Sequence, residues 1–433
     1  MKKASRKTTP PDAPPRHAAL AHHPGAMRVA FITDELPRPG TAGHLALNFA
    51  IIEWLQGLGH EVEILLVGHR LPRPVEGYAL APVAGPHVRG FGGYVVAVSP
   101  RVIVRSVARA LLRRLPATLA AKIRAARHGA DAVLGSFTSA ADAAWCARHA
   151  ARSRPDVLLL DTIFRAPVLA APGLSGLNSV LITHDLFHRR HRALRSAGYR
   201  VQPAQLSREE ETALAGRARH IAAIQPDEAK IFADMCPARD IFLLPMPASP
   251  APAPPGIEKL PRRLVFIGSA SLPNLDGLRW FFTEVWPRLR GQGITLDLIG
   301  DCGPALRGLP EGVTRLGRVD DISPLLHRAS LAIAPLRVGS GLKIKLLDYA
   351  RHGLFTIATP ASLNGFAPDA ASPFIEAKAA DHFARAIVKQ LSAPPPPGAA
   401  LAYISRHYGT GPSFAGLARA LLPLKGHADL PTA

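Results

Sequence analysis

Short apolar runs alternate with amphipathic segments over most of the chain. A first run at 27–33 precedes a stretch rich in proline and glycine, and a second run lies at 62–67. Between them, apolar residues recur at steps of three and four from Leu45 to Leu58, which is the spacing of one helix face. This order of strand, helix and strand predicts a βαβ unit with parallel strands and a right-handed crossover.

The same alternation continues toward the end of the chain and predicts a second sheet. Ser207 and Glu210 have the spacing of a capping box, so a helix is expected to begin there. The glycines between Arg89 and Gly93 have no helix or strand pattern around them and are expected to form a mobile loop. Further strands are predicted at 157–160, 180–183, 221–224, 242–244, 264–267, 294–299, 331–335 and 355–358, and further helices at 278–289, 322–329, 342–350, 383–391 and 413–422.

A stretch rich in proline and alanine, from Pro245 to Pro261, interrupts the alternation. Such a stretch cannot join a sheet and is typical of a semi-stiff linker. We therefore predict an α/β protein of two Rossmann-like, doubly wound parallel-sheet domains that face each other across a ligand cleft. The predicted units are a disordered basic tail at 1–26, a first domain at 27–245, the linker at 246–261, a second domain at 262–398, and a C-terminal helix and tail at 399–433, for which packing back toward the first domain is one arrangement.

The chain is strongly basic. It has 52 Lys and Arg residues against 32 Asp and Glu, a formal net charge of +20. This excess predicts an anionic partner, which is a nucleic acid, an anionic membrane surface or a phosphorylated ligand; an arginine-rich genome would give the same excess. No apolar run is long enough to span a bilayer. Cys146, Cys236 and Cys302 are too scattered for a disulfide framework or a zinc site, which favours a reducing compartment.

The segment 335–353 carries the strongest chemical signal. A predicted strand ends at Pro335, glycines flank Ser340, and a helix follows, so free backbone N–H groups at a helix start would face an anion. A diphosphate followed by a ribose fits this arrangement, with the cations on phosphate and Asp348 on the ribose hydroxyls. A solvated basic helix end with a glycine turn is the alternative. The residues of this predicted donor site are Arg337, Gly339, Ser340, Gly341, Lys343, Lys345 and Asp348.

Longer stretches of the second half resemble the C-terminal domain of retaining, GT-B-fold glycosyltransferases of family 4 (glycosyl transferases group 1). The stretches are FIGSASLPNLDGLRWFFTEVWPRL, LIGDCG, LGRVDDISPLLHRASLAIAPLRVGSGLKIKLLDYARHG and TIATPASLNGF, in the order and spacing of that family. In the first half, ITHDLFHRR and EEETALAGRARHIAAIQPDEAKIF look like its acceptor-side segments. The resemblance implies that the second domain binds a nucleotide sugar and that the first binds the acceptor.

Residue roles follow from the same resemblance. Lys345 matches the lysine that meets the donor diphosphate, and Arg337 matches an arginine before the glycine loop. Asp348 falls on the second acid of the family's Glu-x7-Glu motif, while Ser340 replaces the first acid and leaves the sugar to backbone amides. Val319 falls where relatives hold the nucleotide base. The family generally needs no metal, and no cofactor is implied.

His184 follows a buried strand and matches the family histidine that approaches the donor sugar from the acceptor domain. With Lys345 and Asp348 it completes the predicted catalytic set. His184, His188 and His191 are also spaced as a metal set on one helix face, or as part of a solvated basic surface. The loop after the first strand carries Gly40, Gly43 and His44, which in the family faces the cleft on the acceptor side; an ordinary βα turn is the alternative.

Arginines recur every fourth residue in one predicted helix, at Arg101, Arg105, Arg109 and Arg113, beside valines and leucines. A basic amphipathic helix of this kind can lie in an anionic membrane interface. Packing of its leucines on the first sheet is the alternative. With the resemblance, this predicts a cytoplasmic protein that is peripheral on the inner face of the cell membrane.

Together these features predict a retaining glycosyltransferase that moves a sugar from a UDP- or GDP-sugar to a glycan or lipid-linked acceptor, in surface polysaccharide or glycolipid synthesis. A GT-B-fold epimerase or phosphorylase, a non-catalytic GT-B-fold protein and a basic nucleic-acid-binding protein are the alternatives. The sequence has no aromatic stacking ladder, zinc finger or recognition-helix pattern, so no nucleic-acid partner is expected.

Overall fold

The computed structural model describes residues 25–39, 43–112, 132–196, 198–303, 306, 308–338 and 342–422. Several residues with predicted roles lie outside the described residues: Gly40, Arg113, Gly339, Ser340 and Gly341. Of Arg109 only the backbone is described. Their roles stay predictions from the sequence.

A ten-stranded sheet organises the first half of the described chain. Its strands are β1 (Arg28–Thr33), β2 (Glu61–Leu66), β3 (Val75–Gly77), β4 (Val83–Ala84), β5 (Val88–Phe91), β6 (Tyr94–Ala97), β8 (Val157–Asp161), β9 (Asn178–Ile182), β11 (His220–Ala223) and β12 (Asp240–Leu243); β7 (Ala132–Val133) and β10 (Val201–Gln202) form a separate parallel pair. The order in the ten-stranded sheet is β12-β11-β9-β8-β1-β2-β4-β5-β6-β3. The pairs from β12 to β4 are parallel, and β5, β6 and β3 extend the sheet with antiparallel pairs.

Alternate residues of the central strand β1 face two different hydrophobic cores. Phe31 belongs to one core and Ile32 to the other, as expected for a sheet that is covered on both faces. The helices of this half are α1 (Gly43–Gly57), α2 (Pro100–Leu112), α3 (Ala140–Ser153), α4 (Phe187–Ser196), α5 (Arg208–Ala215) and α6 (Pro226–Met235), with a 3-10 helix at Ile163–Ala170. The predicted capping box at the start of α5 is confirmed, because Ser207 and Glu210 bond each other's backbone N–H groups.

A six-stranded, fully parallel sheet organises the second half. Its strands are β13 (Arg263–Ile267), β14 (Thr295–Ile299), β15 (Val313–Gly317), β16 (Leu331–Ala334), β17 (Thr356–Ala358) and β18 (Phe374–Glu376), in the order β15-β14-β13-β16-β17-β18. The helices are α7 (Leu272–Trp280), α8 (Ser323–Arg328), α9 (Ile344–Arg351), α10 (Pro360–Leu363), α11 (Ala380–Ser392), α12 (Pro397–His407) and α13 (Thr410–Leu421); a π-helical turn at Phe281–Val285 and a 3-10 turn at Trp286–Leu289 continue α7. The predicted α/β class with two Rossmann-like parallel sheets is confirmed.

The last helix, α13, returns to the first sheet. Phe414 lies in the core of the first half and stacks on Trp54, with ring centroids 4.7 Å apart. A Cβ atom on Gly416 would come within 2.4 Å of the Phe242 ring, so only glycine allows this close approach. The two ends of the described chain therefore share one core.

The prediction of a mobile loop at 89–93 is wrong, because β5 and β6 form a β-hairpin there. Gly92 and Gly93 have φ values of 54° and 81°, the left-handed conformation that tight hairpin turns require. Phe91 and Tyr94 flank this turn and are largely exposed. Among the described residues, no helix has the length and apolar character needed to cross a membrane.

Candidate functional site

The candidate site lies at the carboxyl edges of the two sheets. In each sheet the strand order reverses beside the first strand, between β1 and β8 and between β13 and β16. Ligands of doubly wound proteins bind in the crevice outside such a switch point. Ligand contacts are therefore expected from the residues that follow these strands.

Lys345 occupies the first turn of α9, at the edge of the second sheet. Its Nζ donates a hydrogen bond of 2.7 Å to Asn274 Oδ1 and lies 4.1 Å from the centre of the Phe266 ring. Burial lowers the pKa of Lys345 to about 7, and the nearby Lys343 lowers it further, against the influence of Cys302. A buried ammonium with few compensating charges favours the binding of an anion. An anionic ligand would raise the pKa again and so stabilise the charged form of the lysine.

Lys343 directly precedes α9, and its charge interacts with that of Asp185 in the first domain. Burial lowers its pKa to about 8, and the carboxylate of Asp185 in the first domain acts in the opposite direction. A Cβ atom on Gly43 would lie 2.7 Å from Ile344 Cδ1, which brings the start of α1 against the start of α9. The predicted acceptor-side loop and the predicted donor helix therefore meet across the cleft.

Asp348 lies one turn further along α9 and is half-buried. Burial raises its pKa to about 6, against the nearby charge of Arg351. Its backbone carbonyl lies 2.7 Å from His352 Nδ1, which ties the middle of the helix to its end. Lys345 and Asp348 thus carry a cation and an acid on successive turns of one helix, as predicted from their spacing.

Arg337 is not an unpaired cation. Its guanidinium makes a bidentate pair with Asp276 on α7, at 3.0 and 2.6 Å, and its side chain is 50% exposed. The partner of Arg337 is therefore Asp276, a carboxylate that was not predicted from the sequence to belong to the site. Val319 is half-buried and packs at the border of the second core, next to a bidentate pair between Arg318 and Asp301.

His184 stands opposite on the first domain, two residues after β9. Its Nε2 lies 3.1 Å from Asp161 Oδ1 and 3.1 Å from Asn48 Oδ1. Its φ of 59° lies in the left-handed region, which residues other than glycine adopt uncommonly. The ring of His44 meets that of His184 edge to face, with centroids 5.8 Å apart.

Asp161 is the buried centre of this group. It ends β8, and its Oδ2 accepts a hydrogen bond of 2.7 Å from Thr33, the last residue of β1. Burial by itself would raise the pKa of Asp161, but its contacts with His184 and Asn48 outweigh burial and hold that pKa well below the ordinary value. Burial lowers the pKa of His44, against the charge of Asp161.

The alternative of a histidine metal set on one helix face does not match the structure. His184 precedes α4 and is not helical, so it is not aligned with the other two histidines. His188 Nδ1 lies 2.6 Å from the buried carboxylate of Glu211, and His191 Nε2 lies 3.1 Å from the carbonyl of Pro203. In the part of the chain that the structure describes, no group of three or more His, Cys, Asp or Glu residues is placed to hold a metal ion.

A partly buried cluster of acids and arginines beside Asp161 was not predicted from the sequence. Asp34 Oδ2 lies 3.3 Å from Arg70 Nε and 3.8 Å from the fully buried Arg165, and Arg70 also bonds Glu35 at 2.6 Å. Burial raises the pKa of Asp34, against the charges of Arg165 and Arg70. These residues follow three different strands, so only the tertiary structure joins them. The position of Asp34 and Glu35 directly after the end of β1 was the one available signal.

The predicted basic helix α2 presents a mixed surface. Val102 is fully buried, and Ser106 donates a hydrogen bond to the carbonyl of Leu71, so one face packs on the first domain. Val104 and Val107 are 64% and 44% exposed. The side chains of Arg101 and Arg105 are exposed beside them.

Residues 261–393 match the family model described as Glycosyl transferases group 1. The match covers the second sheet and its helices α7 to α11. No curated protein matches the sequence of this chain.

Solved structures match almost the whole chain. The chain is similar to Alr3699/HepE of Anabaena in complex with UDP, at 12% identity, with a TM-score of 0.59, over 91% of this chain and 99% of that chain. It is similar to sucrose-phosphate synthase from Thermosynechococcus elongatus, at 13% identity, with a TM-score of 0.57, over 91% and 98%. A glycosyltransferase from Rickettsia africae matches at 10% identity, with a TM-score of 0.56, over 92% and 98%. At these identities the likeness shows the fold, and the predicted GT-B architecture is confirmed.

Proposed function

We propose that this protein is a retaining glycosyltransferase that moves a sugar from a nucleotide sugar to an acceptor hydroxyl. One observation carries the proposal: the start of α9 sets the buried ammonium of Lys345 at the cleft edge of a group 1 glycosyl transferase domain. A helix start and a lysine with few compensating charges together favour a diphosphate.

The donor is held mainly by the second domain. Lys345 and Lys343 neutralise the diphosphate, and Asp348 accepts hydrogen bonds from the ribose hydroxyls. The amides of Gly339–Gly341 would complete the phosphate cradle, and Val319 would border the base. Asp348→Glu is expected to keep function, because glutamate is the usual residue of the family that the sequence resembles. Since Alr3699/HepE has been crystallised with UDP and with UDP-glucose, uridine nucleotides are the first donors to test.

The chemistry needs no protein nucleophile. The acceptor oxygen attacks the anomeric carbon on the face that the diphosphate leaves, and a leaving phosphate oxygen takes the acceptor proton. Configuration is then retained, and the protein acts by neutralising the developing phosphate charge and aligning the two substrates. His184 contacts the sugar from the first domain, in an orientation that Asp161 fixes.

The acceptor is a glycan or a lipid-linked molecule bound by the first domain. We propose that the protein works on the inner face of the cell membrane and docks there through α2. The exposed Val104 and Val107 would enter the interface, while Arg101, Arg105 and their continuation at Arg109 and Arg113 meet anionic headgroups.

A panel of nucleotide sugars, screened for thermal stabilisation in a buffer with EDTA, tests the donor assignment. Stabilisation by one nucleotide sugar and by its diphosphate is expected, followed by release of that diphosphate when acceptor is added. Stabilisation without any sugar transfer would favour the non-catalytic alternative. Rescue of activity by magnesium or zinc alone would overturn the metal-free mechanism.

A further inference from the structure

A basic groove adjoins the candidate site on the first domain. It lies between α4 and the start of α5 and has a volume of about 380 Å³. His188, His191 and Leu206 form its buried floor. Arg192 and Arg195 line it from α4, and Arg208 lines it from the first turn of α5.

The groove has an excess of positive charge that the described residues do not balance. No carboxylate lies within ion-pair distance of Arg192, Arg195 or Arg208 in the described part of the chain, whereas Arg190 on the same helix pairs with Asp185 at 2.8 Å. Glu209 is the one acid among the described residues that line the groove. The pKa of Glu209 is lowered by contacts of its carboxylate with the N–H group and the Ser207 hydroxyl at the helix start, so this acid stays ionised there.

The groove is fixed relative to the catalytic histidine. Glu211 on α5 accepts hydrogen bonds from the backbone N–H groups of Phe187 and His188, at 3.0 and 2.8 Å, which joins α5 to the start of α4. His184 and His188 are four residues apart, so their Cα atoms are separated by at most about 14 Å. A sugar-sized group bound at His184 could therefore carry a substituent into the groove.

We propose that this groove binds a phosphoryl group of the acceptor, and that the acceptor is therefore a phosphorylated molecule. Guanidinium groups match phosphate oxygens with paired N–H donors, and three of them around one groove suit this chemistry better than a neutral glycan. The inference rests on the proposed transferase function for the identity of the acceptor. The groove's preference for phosphate can be measured separately.

The test is chemical modification of arginines by phenylglyoxal, mapped residue by residue by mass spectrometry. Glycerol phosphate is the probe, and glycerol with sodium chloride at the same ionic strength is the blank. We expect the probe to slow modification of Arg192, Arg195 and Arg208 by roughly tenfold, while Arg189, which is exposed on α4 outside the groove, reacts unchanged.

Two variants should change the protection by glycerol phosphate in opposite directions. The double variant Arg192→Gln and Arg208→Gln should abolish protection of Arg195, because two of three phosphate donors are lost. Glu209→Gln should strengthen protection, because it removes the one negative charge of the lining. Equal protection of Arg189 and the groove arginines would overturn the proposal. So would protection by vesicles with anionic lipid but not by glycerol phosphate, since that result assigns the arginines to a membrane surface.

Thermal stabilisation by the nucleotide sugar, measured on the same double variant, separates the two proposals. We expect it to equal that of the unmodified chain, since the donor site lies on the other domain. If glycerol phosphate protects the groove arginines but no nucleotide sugar stabilises the protein, the transferase function is refuted and the phosphate site is retained. Stabilisation without phosphate protection would refute the groove alone.

Discussion

His184 Nε2 lies 3.1 Å from Asp161 Oδ1; Asp161 ends β8, and His184 follows the adjacent parallel strand β9. The carboxylate is fully buried and has a second contact, at 2.7 Å, with the hydroxyl of Thr33. A buried acid that is held in this way fixes the orientation of the histidine ring. The pair therefore connects the core of the sheet to the face of the cleft.

The variant Asp161→Asn tests this positioning role. It keeps the size of the side chain but removes the charge that holds the imidazole, so kcat should fall by roughly tenfold or more. The KM for the donor should change little, because Lys345 and Asp348 lie on the other domain. Thr33→Val is the matched control: it removes a neutral hydrogen bond to the same carboxylate and should cost much less. Equal losses of kcat in the two variants would refute a specific role for the charge.

The variant Lys345→Ala should abolish transfer and weaken nucleoside diphosphate binding by roughly a hundredfold, because the phosphate loses its buried charge partner. Titration calorimetry measures this directly. Arg337→Ala should cost less, since Arg337 is already paired with Asp276 and is half exposed. Unchanged diphosphate affinity in the Lys345 variant would contradict the donor-site assignment.

Diphosphate binding should take up protons above neutral pH. The pKa of Lys345 is lowered from 10.5 to about 7 and that of Lys343 from 10.5 to about 8, so both lysines lose charge in the free protein as pH rises through these values. A bound diphosphate favours the charged forms, hence affinity falls as pH rises above about 7. Calorimetry in buffers of different ionisation enthalpy measures the uptake. Lys345→Met should reduce it, and net proton release would rule out this linkage.

Docking through α2 is tested by flotation with lipid vesicles. Binding should require anionic lipid and fall steeply with salt, since each surface arginine adds about 1 kcal/mol at low ionic strength. The double variant Arg101→Gln and Arg105→Gln should weaken binding without changing donor affinity. Arg148→Gln with Arg152→Gln, two exposed arginines on α3, is the control and should bind as before. Equal binding to neutral vesicles would eliminate the docking proposal.

The C-terminal helix should stabilise the first domain. Phe414→Ala empties a site that is 2% exposed and removes the stacking on Trp54, which should cost about 3–5 kcal/mol of unfolding free energy. Leu422→Ala, at a position that is 65% exposed, should cost almost nothing. Denaturant unfolding followed by circular dichroism compares them. A mild effect of the Phe414 variant would mean that α13 is dispensable for this core.

The sequence alone predicted the parallel sheets, the capping box at Ser207 and the placement of a lysine and an acid on one face of α9. These features depend on residues that are close together in the chain: a strand needs a short apolar run, and a helix face needs steps of three and four. The hairpin at 88–97 was missed because its glycines gave no apolar pattern, and its turn is defined only by their left-handed backbone.

Only the tertiary structure decided which distant residues meet. The pairing of His184 with Asp161, the joining of Asp34 to Arg70 and Arg165, and the packing of α13 on the first sheet connect residues from separate strands and helices. Parallel strands bring their carboxyl ends to one edge, but the order of the strands sets which ends are neighbours. That order follows from burying both faces of the sheet at once, a condition that no local window of sequence contains.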